Sequence, residues 1–558
     1  MTGADPATGA VARGDEAGPG ADGVRARPDV GRAAVSVSLV NTVSRLTGFV
    51  RVVATGAALE IGPLGDTYQN ANVVSNVLFE LLAGGLLFAV LVPAFVARVT
   101  DRDVDGARRL AGVLVGRAVV GLGAVVAVVA LASPLVARGL LVAADPATRD
   151  QQVALATVLL WFVLPQVVLY AVGSVLTALL QAAHRFVAAS AAPIANNAVV
   201  TVTMVAFAAV HGTGGGLRLD TVDKLVLGGG TLLGTVAMTA IVVGAAARAG
   251  LAVRPRWRDP AVGPLGDLAR QGAWGAGHIG LNQVMVLSTA VIAAGVGGGA
   301  IAYTFAFVFF LLPHAVIAHP LVTTLTPGLA AHAHRGDDTA FAADVGRGLR
   351  VLLVLLLPSA ALLGVLGWPA LHVVAGVGGL DSRGLGLVAA TLAAYATGLA
   401  GYSTFFLLTR AAYAVGDAQG PTLVNLVVTG TAVAGMAVAA LAVDGTGRLV
   451  CLGLVHGVAV TGGAVALGLR LQRRTRPVPG VAGALARGLA AAAAGGLVAA
   501  LASRVVGWDG RVSAVVALAL GAALGGAAAL AVLAAARAPE LRAVVARLPG
   551  RAPRGGAR

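Results

Sequence analysis

Three ionisable side chains in this 558-residue chain stand out by position: Arg45, Arg51 and Glu80 interrupt two long apolar stretches near the N-terminus. A charge at the centre of a membrane helix costs about 2.5–3.5 kcal/mol on insertion scales, so such groups face a partner or a wet cavity. At 100° per residue, Asn41, Ser44, Arg45, Gly48, Arg51 and Thr55 fall within an arc of about 120°, with Val, Leu, Phe and Ala opposite. The same arithmetic gathers Gln69, Asn72, Asn76 and Glu80 within about 80°. One helix thus carries a cationic stripe and the next an acidic one. The chemistry available to them is recognition, since a guanidinium donates bidentate, charge-assisted hydrogen bonds to phosphate or carboxylate. Counted from the turn around Asp66 at 1.5 Å per residue, Arg45 and Glu80 lie roughly 20 Å deep, and Arg51 and Asn76 roughly 13 Å. Arg45 and Glu80 are expected to neutralise each other, leaving Arg51 charged for a ligand. The bland rival is that all three only stabilise packing.

A second candidate comes from laying Pro93 on Pro327, which puts His314 where Glu80 sits in the first half. A carboxyl and an imidazole on opposite halves are suited to taking up and releasing protons during a transport cycle. A hydrogen-bonded packing histidine is the preferred reading of His314. Other chemistry is not supported. His332 and His334 form a His-x-His without a third ligand, and the single Cys451 excludes an internal disulfide or a cysteine-based metal site. No GxxxxGK[ST] loop, nucleophile elbow or HExxH is present. No catalytic residue, metal or cofactor is expected, and the chain is not expected to be an enzyme.

The elements that must hold these residues follow from composition. With 58% hydrophobic and 12% charged residues, the chain is not a soluble multidomain enzyme. The net charge of +15 comes with 4% aromatics and basic residues in short clusters between apolar runs, which speaks for membrane topology and against nucleic acid. Of the 40 basic residues 39 are Arg, which with abundant Ala, Gly and Val fits a high-GC bacterial genome. A hydrocarbon core needs about 20 apolar residues per helix. Such windows predict fourteen spans at 34–60, 67–98, 110–137, 151–180, 186–210, 224–247, 267–297, 299–330, 346–375, 384–409, 421–443, 448–469, 480–503 and 512–536. With the N-terminus inside, inside segments hold 29 basic residues and outside segments 8, which sets both termini in the cytoplasm.

The chain also repeats itself at an offset of 228, where Pro193-Ile-Ala-Asn-Asn197-Ala-Val-Val-Thr201 overlies Pro421-Thr-Leu-Val-Asn425-Leu-Val-Val-Thr429. Six spans per unit is an even number, so the two copies share one orientation. The expected fold is an all-α polytopic membrane protein of fourteen helices, with two pseudo-symmetric six-helix lobes plus two C-terminal helices. The expected boundaries are a disordered cytoplasmic tail at 1–32, an N-terminal lobe at 33–250, a C-terminal lobe at 251–470, helices 13 and 14 at 471–536, and a basic cytoplasmic tail at 537–558 that touches anionic headgroups.

Asn41-Thr-Val-Ser-Arg45-Leu-Thr-Gly-Phe-Val-Arg51, Gly65-Asp66-Thr-Tyr, Ser75-Asn76, Gly84-Gly85 and Val92-Pro93-Ala-Phe together resemble the MurJ (MviN) family of lipid II flippases. That family belongs to the superfamily of multidrug antiporters and polysaccharide exporters. Ala183-His-Arg185-Phe, Pro193, Asn197, Pro313, Pro327, Tyr413, Asp417 and Pro421 look like the same family. The resemblance implies a two-lobed transporter in the bacterial plasma membrane that moves an undecaprenyl-pyrophosphate-linked peptidoglycan precursor between leaflets by alternating access. It assigns substrate-binding roles to Arg45, Arg51 and Asp66, with Asn76 beside them. Glu80 and His314 remain candidates for the cavity or for coupling. The family's basic pair after Asn76 falls here on Phe79 and Glu80, its next acid on Gly84, and its cavity arginine of helix 8 on Val308, so a less cationic cavity is expected. Partners are a lipid-linked substrate, membrane lipids and proteins of cell-wall synthesis, with the chain as a monomer. The competing readings are export of another lipid-linked saccharide, cation-coupled drug efflux, and a non-transporting scaffold.

Overall fold

The computed structural model describes residues 30–81, 91–213, 216–260, 262, 266–473 and 475–540. Among them every regular element is a helix. The first stretch holds α1 (Val30–Leu59), α2 (Pro63–Glu80), α3 (Val92–Thr100), α4 (Val104–Leu131), α5 (Ser133–Leu140), α6 (Pro146–Val163), α7 (Gln166–Ala182), α8 (Phe186–His211) and α9 (Thr221–Arg248). The second holds α10 (Gly266–Ala293), α11 (Gly299–Pro313), a π-turn (His314–Ala318), α12 (His319–His334), α13 (Asp338–His372), α14 (Ser382–Ala396), α15 (Leu399–Ala414), α16 (Gln419–Ala442) and α17 (Gly445–Gln472). The chain then forms α18 (Val481–Val506) and α19 (Arg511–Ala535).

Acids start many of these helices. Asp103, Asp145, Asp337, Asp381 and Asp417 each accept a hydrogen bond from an amide of the first turn, and Asp220 and Asp223 form a capping box. A side-chain oxygen there satisfies a donor that has no intrahelical partner. Apolar length does the rest. Among the described residues eleven helices are long and apolar enough to cross a membrane, or twelve if α14 and α15, bent by 50° at Thr397 and Gly398, form one span. All fourteen expected segments contain helix, but the segment at 67–98 is not described as one helix: α2 ends at Glu80 and residues 82–90 lie outside the description.

The same neighbour relations occur twice. The contacts α1–α8, α8–α9, α2–α6, α4–α7 and α7–α9 are matched by α10–α16, α16–α17, α11–α14, α13–α15 and α15–α17. Hydrogen bonds repeat with them. Asn197 Nδ2 donates to the Ser44 carbonyl at 3.1 Å, stapling α8 to α1, and Asn425 Nδ2 donates to the His278 carbonyl at 2.8 Å, stapling α16 to α10. These are the asparagines that the 228-residue offset superposes. Helices α18 and α19 pack on each other and on α13.

Residues 1–29 and 541–558 lie outside the described residues, whereas Val30–Arg32 already belong to α1. Glu540, expected in a solvated tail, is 6% exposed. It accepts from Arg487 at 2.9 Å and lies 3.7 Å from Arg350. A carboxylate flanked by two guanidinium groups is held in place rather than left in water.

Candidate functional site

The two stretches meet most tightly at one end. There α1 stops at Leu59, Glu60 turns the chain at φ 61°, and α2 starts on Pro63. Asp66, in the first turn of α2, is 1% exposed, and its carboxylate accepts the Gly298 amide at 2.7 Å and the Ile301 amide at 3.0 Å. Those amides open α11, where N–H groups lack helical partners and the helix dipole is positive. A second strap runs from the Gly379 amide to the Ala57 carbonyl at 2.8 Å. Gly298 at φ +81° and Gly378 at φ +58° permit the approach, since a Cβ on either would run into the backbone of Ile61 or Ala57. This end is shut. The carboxylate of Asp66, expected to bind substrate, is engaged in this conformation as the cap of α11. Sequence gives the depth of Asp66 but not which helix start, 232 residues away, it will meet.

Below this closure polar residues of α2 face α11. Gln69, Asn70 and Asn76 line a 150 Å³ pocket with Tyr303, Thr304, Phe307 and Val308. Asn76, Glu80 and Arg45 are exposed and Arg51 is half-buried. The expected Arg45–Glu80 ion pair is absent among the described residues. Arg51 makes no ion pair among the described residues.

His314 lies in an aromatic surround. It is buried, its Nδ1 is 2.9 Å from Ser403 Oγ, and Tyr402 and Phe406 meet its ring edge-on at 5.0 and 5.3 Å. The groups that sequence reasoning missed are His319 and Arg410, both exposed. The Arg410 guanidinium lies 5.3 Å from the centroid of the Phe406 ring, and His319 stacks on that ring at 6.0 Å. The charges of Arg45 and Arg410 both reach His319. Val308, where the resemblance predicts the loss of an arginine, lines the pocket, whereas Arg410 stands against Phe406 on α15 and is not part of that lining. The available signal was the length of α15, which continues to Ala414 and so takes in a residue read as loop. Among the described residues no group of three His, Cys, Asp or Glu is placed to hold a metal. His332 turns one ring nitrogen to Asp344 at 3.5 Å and the other to Arg335 at 3.0 Å.

Membrane-length helices in two similarly connected sets, meeting along a polar face that is shut at one end, define a multi-pass membrane transporter. The family model described as lipid II flippase MurJ matches residues 56–521, and the chain belongs to that family. It is 29% identical over 367 residues to the probable lipid II flippase MurJ of Rhizobium meliloti (strain 1021), covering 64% of this chain and 65% of that protein. It is 28% identical over 387 residues to the counterpart in Rhizobium tropici, covering 68% and 69%. Among solved structures, a lipid II flippase MurJ in an inward closed conformation matches with TM-score 0.70 and 14% identity, over 92% of this chain and all of that one. An inward-facing multidrug resistance MATE family transporter matches with TM-score 0.56 and 15% identity, over 80% of this chain and all of that one. Both likenesses concern the fold.

Proposed function

We propose that this chain carries a lipid-linked peptidoglycan precursor of the lipid II type from the inner to the outer leaflet of the bacterial inner membrane by alternating access. The observation that carries the reading is the family match across residues 56–521. Fourteen crossings, obtained by adding α1 and the α2–α3 segment to the twelve, put both termini in the cytoplasm. The excess of 29 inside over 8 outside basic residues supports that orientation. On it the Asp66 closure faces outward and the cleft opens to the cytoplasm. The lobes are α1–α9 and α10–α17, with α18 and α19 appended, and the chain acts as a monomer.

The diphosphate is gripped by Arg45, Arg51 and Arg410, with His319 and Asn76 as further donors; Glu80 and Tyr402 border the same face. Arginine suits this ligand because its fork matches phosphate geometry. Three arginines on one face speak against a cationic drug as the cargo. The test is replacement: in cells depleted of their own lipid II flippase, the wild-type gene restores growth, whereas Arg51→Ala and Arg410→Ala do not, at equal membrane abundance. Failure of the wild type to restore precursor at the outer surface overturns the reading.

A further inference from the structure

At the end of the bundle opposite Asp66, a pocket of 480 Å³ is lined by Asp105, Arg108, Arg109, Ala252, Arg254 and Arg256. Its two walls are the first turns of α4 and the segment that follows α9. That segment is fastened along α4: the Arg256 amide donates to the Gly112 carbonyl at 2.9 Å, Arg108 Nε to Ala252 at 3.1 Å, and Arg117 Nε to Trp257 at 3.3 Å. Gly112 and Gly116 are required there, since a Cβ on either would collide with the carbonyls of Arg254 and Arg256. The walls are therefore built rather than incidental.

Four guanidinium groups face one carboxylate in the lining. Arg108 lies 3.2 Å from Asp105, and Arg256 reaches Asp259 at 2.7 Å outside it. Arg109 is only 3.9 Å from Asp103, and its Nε is buried without a hydrogen-bond partner. Arg254 is exposed and has no ion-pair partner among the described residues. The pocket thus keeps a net positive charge, carried by guanidinium groups that suit a multiply hydrogen-bonded anion. Its setting selects the source of that anion. It sits at the foot of a membrane-length helix whose next turns expose Val119 (41%) and Val120 (56%), beside Trp257 at 52% exposure. Exposed valines offer a surface for acyl chains, and an exposed Trp beside arginines belongs at the headgroup level.

We propose that this pocket binds the phosphate of an anionic membrane phospholipid, at a site separate from the transport cleft. The test is native mass spectrometry of the purified full-length chain with phosphatidylglycerol or phosphatidylcholine of identical acyl chains, and separately with millimolar inorganic phosphate. Wild type is expected to retain phosphatidylglycerol over phosphatidylcholine and to be indifferent to inorganic phosphate. Arg109→Gln with Arg254→Gln is expected to lower retention at least about tenfold, at about 1 kcal/mol per arginine near a surface. Arg254→Gln alone, which removes a side chain with no ion-pair partner, is expected to lower it about fivefold and carries the test if the double variant unfolds. Equal retention by a folded variant, equal retention of the two lipids, or displacement by inorganic phosphate overturns the proposal.

Discussion

The carboxylate of Asp66 and the amide of Gly298, 232 residues apart, are joined at 2.7 Å, so the start of α2 caps the start of α11. A hydrogen bond to a charged group contributes about 1.5–3 kcal/mol, and a buried amide left without its partner costs about as much. This bond must break whenever that end opens. Asp66→Ala is therefore expected to favour opening by at least about tenfold. The readout is alkylation of Thr67→Cys, a buried neighbour, with the one native cysteine, Cys451, replaced by Ser. An unchanged alkylation rate contradicts the capping role.

Gly298 supports the same closure by shape. Its φ of +81° disfavours any side chain by about 1–2 kcal/mol, and an added Cβ meets the Ile61 carbonyl. Gly298→Ala is expected to open this end at least as far as Asp66→Ala does. The double variant is expected to add little, because both changes release one contact.

Asn197 and Asn425 do equivalent work in the two stretches, so their removal is expected to cost alike. Each donates from one helix to a carbonyl of another, and each has a second bond, to Thr47 Oγ1 at 3.1 Å and to Asn282 Oδ1 at 3.0 Å. Asn197→Ala and Asn425→Ala are each expected to destabilise by about 1–3 kcal/mol, read as loss of folded protein on heating in detergent. A marked asymmetry between them would argue against the repeat.

Acidity is expected to act at the shut end through Glu60. Burial and the neighbouring Asp381 carboxylate, at the start of α14, push the Glu60 carboxyl above its ordinary value. The folded, closed state then binds more protons than the unfolded one. The stabilisation is fully present below the ordinary glutamate value and is lost as pH rises through the raised one. Alkylation of Thr67→Cys is expected to slow on mild acidification, and Glu60→Gln to flatten that dependence. A pH response unaltered by Glu60→Gln contradicts the assignment.

Much of the architecture was legible because apolar length, basic loops and one repeated nonapeptide are local properties. The positions of Arg45, Arg51, Asn76 and Glu80 on their helices were legible for the same reason. What sequence could not supply was partnership across the interface. Asp66 meets a helix start far along the chain, Arg45 and Glu80 form no ion pair among the described residues, and Arg410 stacks against Phe406 because α15 continues past the expected boundary. His314 likewise meets partners from another helix, a hydrogen bond to Ser403 and an aromatic surround, that the sequence did not name.

Transfer across a bilayer measures the central claim most directly. In proteoliposomes carrying the purified chain and a labelled undecaprenyl-diphosphate-linked saccharide, wild type is expected to deliver label to the opposite leaflet. Arg45→Ala with Arg410→Ala is expected to slow delivery at least about tenfold while both proteins remain folded. Delivery at the wild-type rate by that double variant would contradict the account.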